Sequence, residues 1–413
     1  MSRVIDTLAP PRLGVGFRWL LASSWISNLG DGIAISAGPL LVASLTDDAF
    51  LIALAAMVQW LPQLLFALFA GALSDRLDRR SIVVTVDIIR AGVLAIIATS
   101  IVTGTVSIGV VLVALFVVST AEAFADNASQ TLLPMLVRRE DLVLANGRIQ
   151  AGFVTINQLA GPPIGAALFV IGTSLPFIGQ AILVAAGAAL VSRIALPAHR
   201  RDPEMRSAVR HEIAEGFRWV RHHAAVRTLV LTIFIFNITF GAAWSVLVLY
   251  AAERLGLGEI GFGLLTTVSA AGGLLGTVTY GWITRRVSLG NIMRIGLIIE
   301  TLTHLGLAIT TVPVVAAAIF FVFGVHAFVW GTTSVAVRQR AVPTELQGRV
   351  GSVNTVGVFG GLVVGSALGG LLAQRFGVTA PFWFAFAGSA VFLVAIWGQL
   401  RHIAHADDPP EDG

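Results

Sequence analysis

The sequence predicts an all-α integral membrane protein, with twelve transmembrane helices in two pseudo-symmetric six-helix bundles. Of its 413 residues, 56% are apolar and only 12% are charged, and the mean hydropathy is +0.86. A soluble domain of this size carries about a quarter charged residues, so here too few charges remain to cover a surface in water. The apolar residues also fall into twelve runs separated by loops, which predicts that the bilayer surrounds most of the chain.

Each of the twelve apolar runs has about the length needed to cross a hydrocarbon core of roughly 30 Å. The first six runs cover residues 17–44, 50–73, 82–104, 107–134, 146–170 and 174–196. The last six cover residues 227–251, 260–282, 289–311, 312–337, 348–373 and 379–400. Only the turn Thr310–Pro313 separates the ninth run from the tenth.

The arginines predict the orientation, because cytoplasmic loops of membrane proteins carry an excess of basic residues. With a cytoplasmic N-terminus, the inner loops hold Arg76, Arg79, Arg80, Arg138, Arg139, Arg285, Arg286, Arg338, Arg340, Arg401 and the stretch from Arg193 to Arg227. The outer loops hold only Arg254 and Arg375. We therefore expect an inner (plasma) membrane protein with both termini in the cytoplasm.

One long hydrophilic stretch, residues 197–226, divides the runs six and six. Within it, Ile213, Phe217 and Val220 recur at helical spacing with charges on the other side. This pattern predicts an amphipathic helix on the inner membrane surface, which either links the bundles or serves in targeting. The predicted domains are an N-terminal bundle (1–196), this linker (197–226), a C-terminal bundle (227–404) and a disordered acidic tail (405–413).

Composition and motifs exclude several classes of function. The chain has no cysteine, which rules out disulfides and thiolate metal sites. No HExxH motif or comparable metal-ligand spacing occurs, and no GxxxxGK[ST] loop supports ATP hydrolysis. The arginines lie in short clusters between apolar runs, which argues against nucleic-acid binding. We therefore expect neither an enzyme nor a cofactor, and an ion gradient is the expected energy source.

The loop after the second run resembles a known family signature. Residues 71–80 read Gly-Ala-Leu-Ser-Asp-Arg-Leu-Asp-Arg-Arg, which is similar to the major facilitator signature Gly-x-Leu-(small)-Asp-(basic)-x-Gly-(basic)-(basic). Asp78 stands where the signature has glycine, and aspartate tolerates a left-handed turn. The equivalent region Gly281–Arg286 follows the eighth run. Such parallel repeats indicate two bundles with a ligand site between them near mid-membrane.

The resemblance implies a conformational latch formed by Gly71, Asp75, Arg76, Arg79 and Arg80. Asp75 can accept hydrogen bonds from the N–H groups that open the helix near Gly348. Arg79 and Arg80 can pair with acids or lipid phosphates at the inner surface. The alternative is that the arginines only set the topology.

The fifth run carries a second resemblance, which bears on the direction of transport. Residues 158–167 contain Gly161, Pro162 and Gly165, and they resemble the Gly-x-x-x-Gly-Pro-x-(small)-Gly-(small) pattern of proton-coupled drug exporters. The first glycine of the pattern is absent. Close helix packing around a proline kink is the alternative explanation.

Ionisable groups within apolar runs are candidate functional residues, because burying them in a membrane is costly. Asp31 lies near the middle of the first run, close to Asn28, and nothing nearby in sequence neutralises it. This predicts an aqueous cavity, with a structural hydrogen bond as the alternative. Glu122 and Asp126 lie four residues apart on one helix face, so repulsion should leave one of them protonated. Asp126 could instead pair with Arg148 or Arg90.

The second half holds fewer such groups. Glu300 and His304 are also four residues apart, which suits either proton handling or a pair within one helix. His326 is expected to be hydrogen-bonded structure. Asp87 and Arg90, placed near the inner end of the third run, are expected to pair with each other or with the loop motif.

Together these features predict a proton-coupled exporter of amphiphilic or cationic small molecules such as drugs, with Asp31 and Glu122 as the main proton carriers. The prediction depends on acids without basic neighbours, on aromatic side chains in the runs and on the resemblance to drug, macrolide and siderophore exporters. The expected partners are a small-molecule substrate, protons and membrane lipid, with the chain acting as a monomer. The alternatives are a proton-coupled nutrient importer and a siderophore or metabolite exporter.

Overall fold

The computed structural model describes residues 10–74, 77–195 and 209–400, and the side chains of these residues outside 67–74 and 209–213. The described part of the chain is helical, with short loops and no strand. Asp75, Arg76 and the acidic tail after Leu400 lie outside it. The latch and the disordered tail therefore stay predictions at those positions.

The first half contains six membrane crossings. They begin with α1 (Gly14–Leu45), α2 (Ala49–Ser74), α3 (Arg79–Val102) and α4 (Ile108–Leu136). The fifth crossing consists of α5 (Leu142–Gly152), a π-helical segment (Phe153–Ala160) and α6 (Gly161–Ile171), and the sixth is α7 (Leu175–Val191).

The second half opens with an amphipathic helix and continues with six more crossings. The helices are α8 (Val209–His222), α9 (Ala224–Trp244), α10 (Glu259–Thr284), α11 (Leu289–Ile309), α12 (Pro313–Ala341), α13 (Gln347–Phe376) and α14 (Ala380–Ile396). Among the described residues, ten segments are long and apolar enough to cross a membrane, and α7 and α14 are shorter apolar helices. The predicted fold class is therefore confirmed. Helix α8 lies within the predicted linker, but Phe217 is exposed beside Arg218, so the predicted separation of Phe217 from the charges is wrong. Its place on the inner membrane surface stays a prediction.

Local sequence explains where the helices begin. Asp78 caps α3, since its carboxylate accepts hydrogen bonds from the N–H groups of Arg80 (2.9 Å) and Ser81 (3.3 Å). Its φ is −65°, so this position needs no left-handed turn, and the expected reason for tolerating aspartate in place of glycine was wrong. Pro313 opens α12 just after Thr310 ends α11, as the turn predicted.

The helices pack into two compact units. Unit 1 takes its residues from Met1–Thr46, Leu65–Arg206 and Glu259–Thr267. Unit 2 takes them from Asp47–Leu64, Ser207–Gly258 and Val268–Gly413. Unit 1 has a buried core that includes Phe17, Leu132 and Ile194, and unit 2 has one that includes Leu229, Met293 and Leu297. The domain boundaries drawn from the sequence stay a prediction.

Candidate functional site

Unit 1 contains a polar cavity of about 640 Å³, lined by α1, α3, α4 and the fifth crossing. Its charged lining residues are Asp31, Asp87, Arg90, Glu122 and Asp126. Its uncharged polar lining residues are Ser23, Ser24, Ser27, Asn28, Ser129, Gln130, Asn146, Gln150 and Asn157. A cavity is therefore present beside Asp31, as predicted, and Asn28, Glu122 and Asp126 share it.

The charged groups of the cavity lie near the middle of the membrane-spanning helices. Asp31 is close to the midpoint of α1 (Gly14–Leu45), and Glu122 is at the midpoint of α4 (Ile108–Leu136). Arg90 lies about 16 Å along α3 at 1.5 Å per residue, which is half of the hydrocarbon thickness. The placement of Arg90 near the inner end was therefore wrong, because α3 starts at Arg79 and continues to Val102.

Arg90 is the cation of the cavity, and it binds two of the carboxylates. Its Nη2 donates to Oδ1 of Asp31 at 2.5 Å, and its Nη1 donates to Oδ1 of Asp87 at 3.1 Å. Arg90 is only 2% exposed. A buried guanidinium needs such partners, because an unpaired charge in a low-dielectric interior is very costly. Nothing near Asp31 in sequence neutralises it, but Arg90 does so from another helix, so the premise of acids without basic neighbours is wrong for Asp31. The expected pairing of Asp87 with Arg90 is confirmed.

Glu122 and Asp126 add two further carboxyl groups to the cavity beside Arg90. Both lie within electrostatic range of Asp31 and Arg90, but neither forms an ion pair or a hydrogen bond within the described residues. The alternative pairing of Asp126 with Arg90 or Arg148 is thus not formed. Four carboxylates share a cavity with one guanidinium, an arrangement that favours uptake of protons or of an organic cation.

The residues of the Gly-Pro pattern pack against α1 immediately beside Asp31. A Cβ added to Gly161 would lie 2.4 Å from Cα of Gly32, so only glycine allows the two backbones to approach this closely. The hydroxyl of Ser36 donates to the carbonyl of Pro162 at 2.7 Å. A π-helical segment directly precedes the proline, which cannot donate a backbone hydrogen bond. The packing explanation therefore applies, and it applies at the edge of the cavity.

In unit 2, Glu300 pairs across helices and not along its own helix. Its Oε2 lies 3.5 Å from Nε2 of His326 on α12. His304 is fully buried, and neither of its ring nitrogens has a hydrogen-bond partner within the described residues. The alternative of a Glu300–His304 pair within one helix is therefore not formed, and a role of these residues in proton handling stays a prediction. Glu300 reaches His326 on α12, whereas His304 packs against an aromatic ring of α9, so the two residues have partners on different helices.

His304 instead faces a cluster of aromatic rings. The Trp244 ring lies edge-on to His304, with centroids 6.1 Å apart. The Trp244 ring also packs against three phenylalanine rings. Its centroid lies 4.3 Å from that of Phe240, 4.8 Å from that of Phe323 and 5.4 Å from that of Phe320. Phe320 and Phe323 are buried, so these two rings are packing residues in this structure. Glu300 and His304 belong to unit 2, and neither lines the cavity of unit 1.

The arginines of the loop motif have structural partners. Arg80 donates to the carbonyl of Ile194 at 3.0 Å, just beyond the end of α7, and Nη1 of Arg79 lies 3.0 Å from Sδ of Met135 at the end of α4. Both side chains therefore bind other elements in addition to any role in topology. Gly71 lies in the last turns of α2. The latch role of these residues, like that of Asp75 and Arg76, stays a prediction.

Comparison with known proteins now identifies the family. Residues 5–411 match the family described as transmembrane secretion effector, a branch of the major facilitators. The chain belongs to the major facilitator superfamily. It is accordingly a multi-pass membrane transporter of the secondary type and not an enzyme, as the sequence predicted.

Two curated relatives of this major facilitator are named as efflux proteins. The chain is 29% identical to the multidrug efflux pump Tap of Mycolicibacterium fortuitum over 394 residues, which cover 88% of this chain and 90% of that protein. It is 24% identical to the macrolide efflux protein A of Streptococcus pyogenes, over 85% of this chain and 87% of that protein.

Solved structures share the fold at much lower identity. A bacterial homologue of the iron transporter ferroportin in the inward-facing state is 16% identical, with a TM-score of 0.75 over 93% of this chain and 98% of that one. The nucleoside transporter NupG is 13% identical, with a TM-score of 0.72 over 94% and 99% of the two chains. These likenesses support the fold alone.

Two pairings near the candidate site are not visible in the sequence. Arg90 pairs with Asp31 on another helix, although an arginine halfway along a membrane helix is itself a signal of a buried acidic partner. Glu300 pairs with His326, which stands on the next helix of the chain. In both cases the partner lies on a different helix.

Proposed function

We propose that this major facilitator is a proton-coupled exporter, an antiporter that moves amphiphilic or cationic small molecules outward by alternating access. The observation that carries the proposal is the mid-membrane cavity, in which four carboxylates face one guanidinium. The efflux activity named for its relatives agrees with the outward direction. The proposal includes a monomer in the inner membrane with cytoplasmic termini, and proton flow as the energy source.

The charge balance of the cavity supports coupling by competition. Arg90 compensates roughly one of the carboxylates it contacts, so the remaining negative charge can be neutralised either by protons or by a bound organic cation. If both compete for Glu122 and Asp31, a proton that enters displaces the substrate, and the two move in opposite directions. Asp126 and Asn28 would add polar contacts for the substrate. Glu300 and His304 are proposed as a separate proton site in unit 2.

Transport of a fluorescent organic cation into proteoliposomes under an imposed pH gradient tests the proposal. Asp31→Asn and Glu122→Gln should each lower proton-driven flux by about tenfold, within the range of coupling free energies between two sites. Glu140→Gln is the matched control, because Glu140 is a highly exposed carboxylate in the same unit. Undiminished, still proton-dependent flux in both cavity variants would show that neither residue couples transport to protons.

A proton-coupled importer of polar nutrients is the second candidate. The observation in its favour is the number of amide side chains in the cavity lining: Asn28, Gln130, Asn146, Gln150 and Asn157. Amides bind hydroxyl-rich substrates through paired hydrogen bonds. The same proteoliposomes separate the two candidates, since an importer would accumulate its substrate in the direction of proton flow.

A further inference from the structure

The amphipathic helix α8 is held at the membrane boundary. It ends at His222, and the membrane-spanning helix α9 begins at Ala224, so only His223 lies between them. The imidazole of His223 accepts a hydrogen bond from the N–H of Val226 and caps α9, while its ring stacks on Trp219 with centroids 4.7 Å apart. The last turn of α8 therefore lies at the level where α9 enters the bilayer.

One face of α8 packs onto its own unit. Val220 is buried in a cluster with Val226, Val342, Val350 and Val353. The carboxylate of Glu215 accepts a hydrogen bond from Nη1 of Arg349 at 2.7 Å. A Cβ added to Gly216 would lie 2.5 Å from the carbonyl oxygen of Arg349, so the glycine allows the helix to sit directly on the start of α13.

The opposite face of α8 is exposed and combines an aromatic ring with cations. Phe217 is 63% exposed, and Ala214, Arg218 and Arg221 are exposed beside it. At 3.6 residues per turn these four side chains fall within an arc of about 100°. Neither arginine forms an ion pair within the described residues. Glu215, the acidic residue among the described side chains of α8, faces α13 instead.

We infer that the exposed face of α8, formed by Ala214, Phe217, Arg218 and Arg221, binds the anionic headgroups of phospholipids in the adjoining leaflet. Guanidinium groups donate paired hydrogen bonds to phosphate oxygens, and an aromatic ring partitions into the interfacial layer of a bilayer. The tether to α9 keeps the face at the height of those headgroups. The structure thus offers an exposed aromatic ring, two arginines that form no ion pair with any described residue, and a direct connection to a membrane-spanning helix.

This inference does not depend on the direction of transport or on the substrate. An exposed cationic face could also bind an acidic protein, but such a partner would not require an exposed phenylalanine at the bilayer surface. The tether of α8 to the start of the membrane-spanning helix α9 keeps this face close to the bilayer, whereas a soluble partner would have to be recruited there. The charge and the position together therefore favour anionic lipid.

A single cysteine can report on the contact, because the natural chain has none. In the full-length protein, Ala214→Cys places a fluorophore between Phe217 and Arg218 without removing either. The labelled protein is reconstituted into phosphatidylcholine vesicles, with or without phosphatidylglycerol, that contain a headgroup-region quencher lipid. We expect about twofold stronger quenching in the anionic vesicles, because basic side chains at the surface are attracted to anionic lipid.

Three comparisons decide the outcome. Arg218→Gln with Arg221→Gln should reduce quenching to the phosphatidylcholine level, whereas Arg138→Gln with Arg139→Gln, which removes two arginines from another loop, should leave it unchanged. Raising the salt from about 0.05 M to about 0.5 M should weaken quenching of the labelled protein that carries no arginine substitution. This comparison does not depend on whether a variant folds. Equal quenching in both vesicle types, or an equal loss in the control, would overturn the inference. So would a response only to added soluble protein.

Discussion

Arg90 shows how one side chain can organise a buried polar cavity. It is almost fully buried at mid-membrane, yet two of its nitrogens bind carboxylates from α1 and from its own helix. Removing one partner from such a cluster leaves the others as uncompensated charges in a low-dielectric site. The contribution of Arg90 to stability is therefore best measured by replacing Arg90 and its carboxylate partners one at a time and in combination.

Arg90→Gln should lower the free energy of unfolding by about 3–5 kcal/mol, because Asp31 and Asp87 lose their counter-ion. The double variant Arg90→Gln with Asp31→Asn should recover part of that loss, since it also removes one of the stranded charges. Melting temperatures of the purified protein in detergent measure both effects. Arg138→Gln, at an exposed loop position, serves as the control. Equal melting temperatures for Arg90→Gln and this control would contradict the assignment of Arg90 as a buried counter-ion.

At the scale of elements, two contacts determine how helices meet. One is the backbone-to-backbone approach of α1 and α6 at Gly32 and Gly161, next to the cavity. The other is the junction of α8 and α9, where His223 both caps a helix and stacks on the preceding one. In each case the identity of one residue, a glycine or a histidine, determines where a whole helix is placed.

Gly161→Ala should destabilise the protein by about 1–3 kcal/mol, because the added methyl group meets the backbone of α1 and overpacks the contact. Gly147→Ala is the matched control on the same crossing, since a Cβ there meets nothing within 4 Å. That control should be neutral or slightly stabilising, because alanine favours a helix by up to about 1 kcal/mol over glycine. Thermal unfolding of the two variants side by side tests the contact. Similar stability of both would mean that α1 and α6 do not need a glycine there.

The cap at His223 should make the α8–α9 junction sensitive to pH. Burial lowers the pKa of His223 below its ordinary value of 6.5, and the proton would occupy the nitrogen that accepts from Val226. The unfolded chain then binds more protons than the folded one, so stability is present above pH 6.5 and falls as the pH decreases below it.

Hydrogen exchange of the peptide that contains Val226, compared at about pH 7.5 and pH 5.5 after correction for intrinsic rates, measures this effect. His223→Asn keeps a capping side chain but does not titrate, so its protection should not depend on pH in this range. His222→Asn, at an exposed position, should behave like the natural protein. A wild-type junction that is equally protected at both pH values would show that protonation does not disturb the cap.

At the scale of the whole molecule, the fold is shared with transporters of different substrates, whereas the polar groups distinguish the two units of this chain. Proteins named for nucleoside and iron transport share this fold at 13–16% identity, so the fold by itself does not select a cargo. The polar groups within the helices differ between the units. Unit 1 has an acidic cavity, whereas unit 2 has a Glu300–His326 pair and a buried His304 within aromatic rings.

The sequence by itself determined the membrane crossings and the amphipathic helix of this protein. Crossing length follows from bilayer thickness, and amphipathicity follows from 3.6-residue periodicity, so both are readable from residues close together in the chain. Asp31, Glu122 and Asp126 could likewise be selected, because any acid within an apolar run needs an explanation.

Only the tertiary structure decided which of these residues meet. Asp31 pairs with an arginine 59 positions away on α3, and Glu300 pairs with His326 on α12 and not with His304 one turn along its own helix. Such pairs depend on how far each helix is rotated and how closely it approaches its neighbours. That setting is the sum of many weak packing contacts, including the glycine contact between α1 and α6, and no local pattern encodes it.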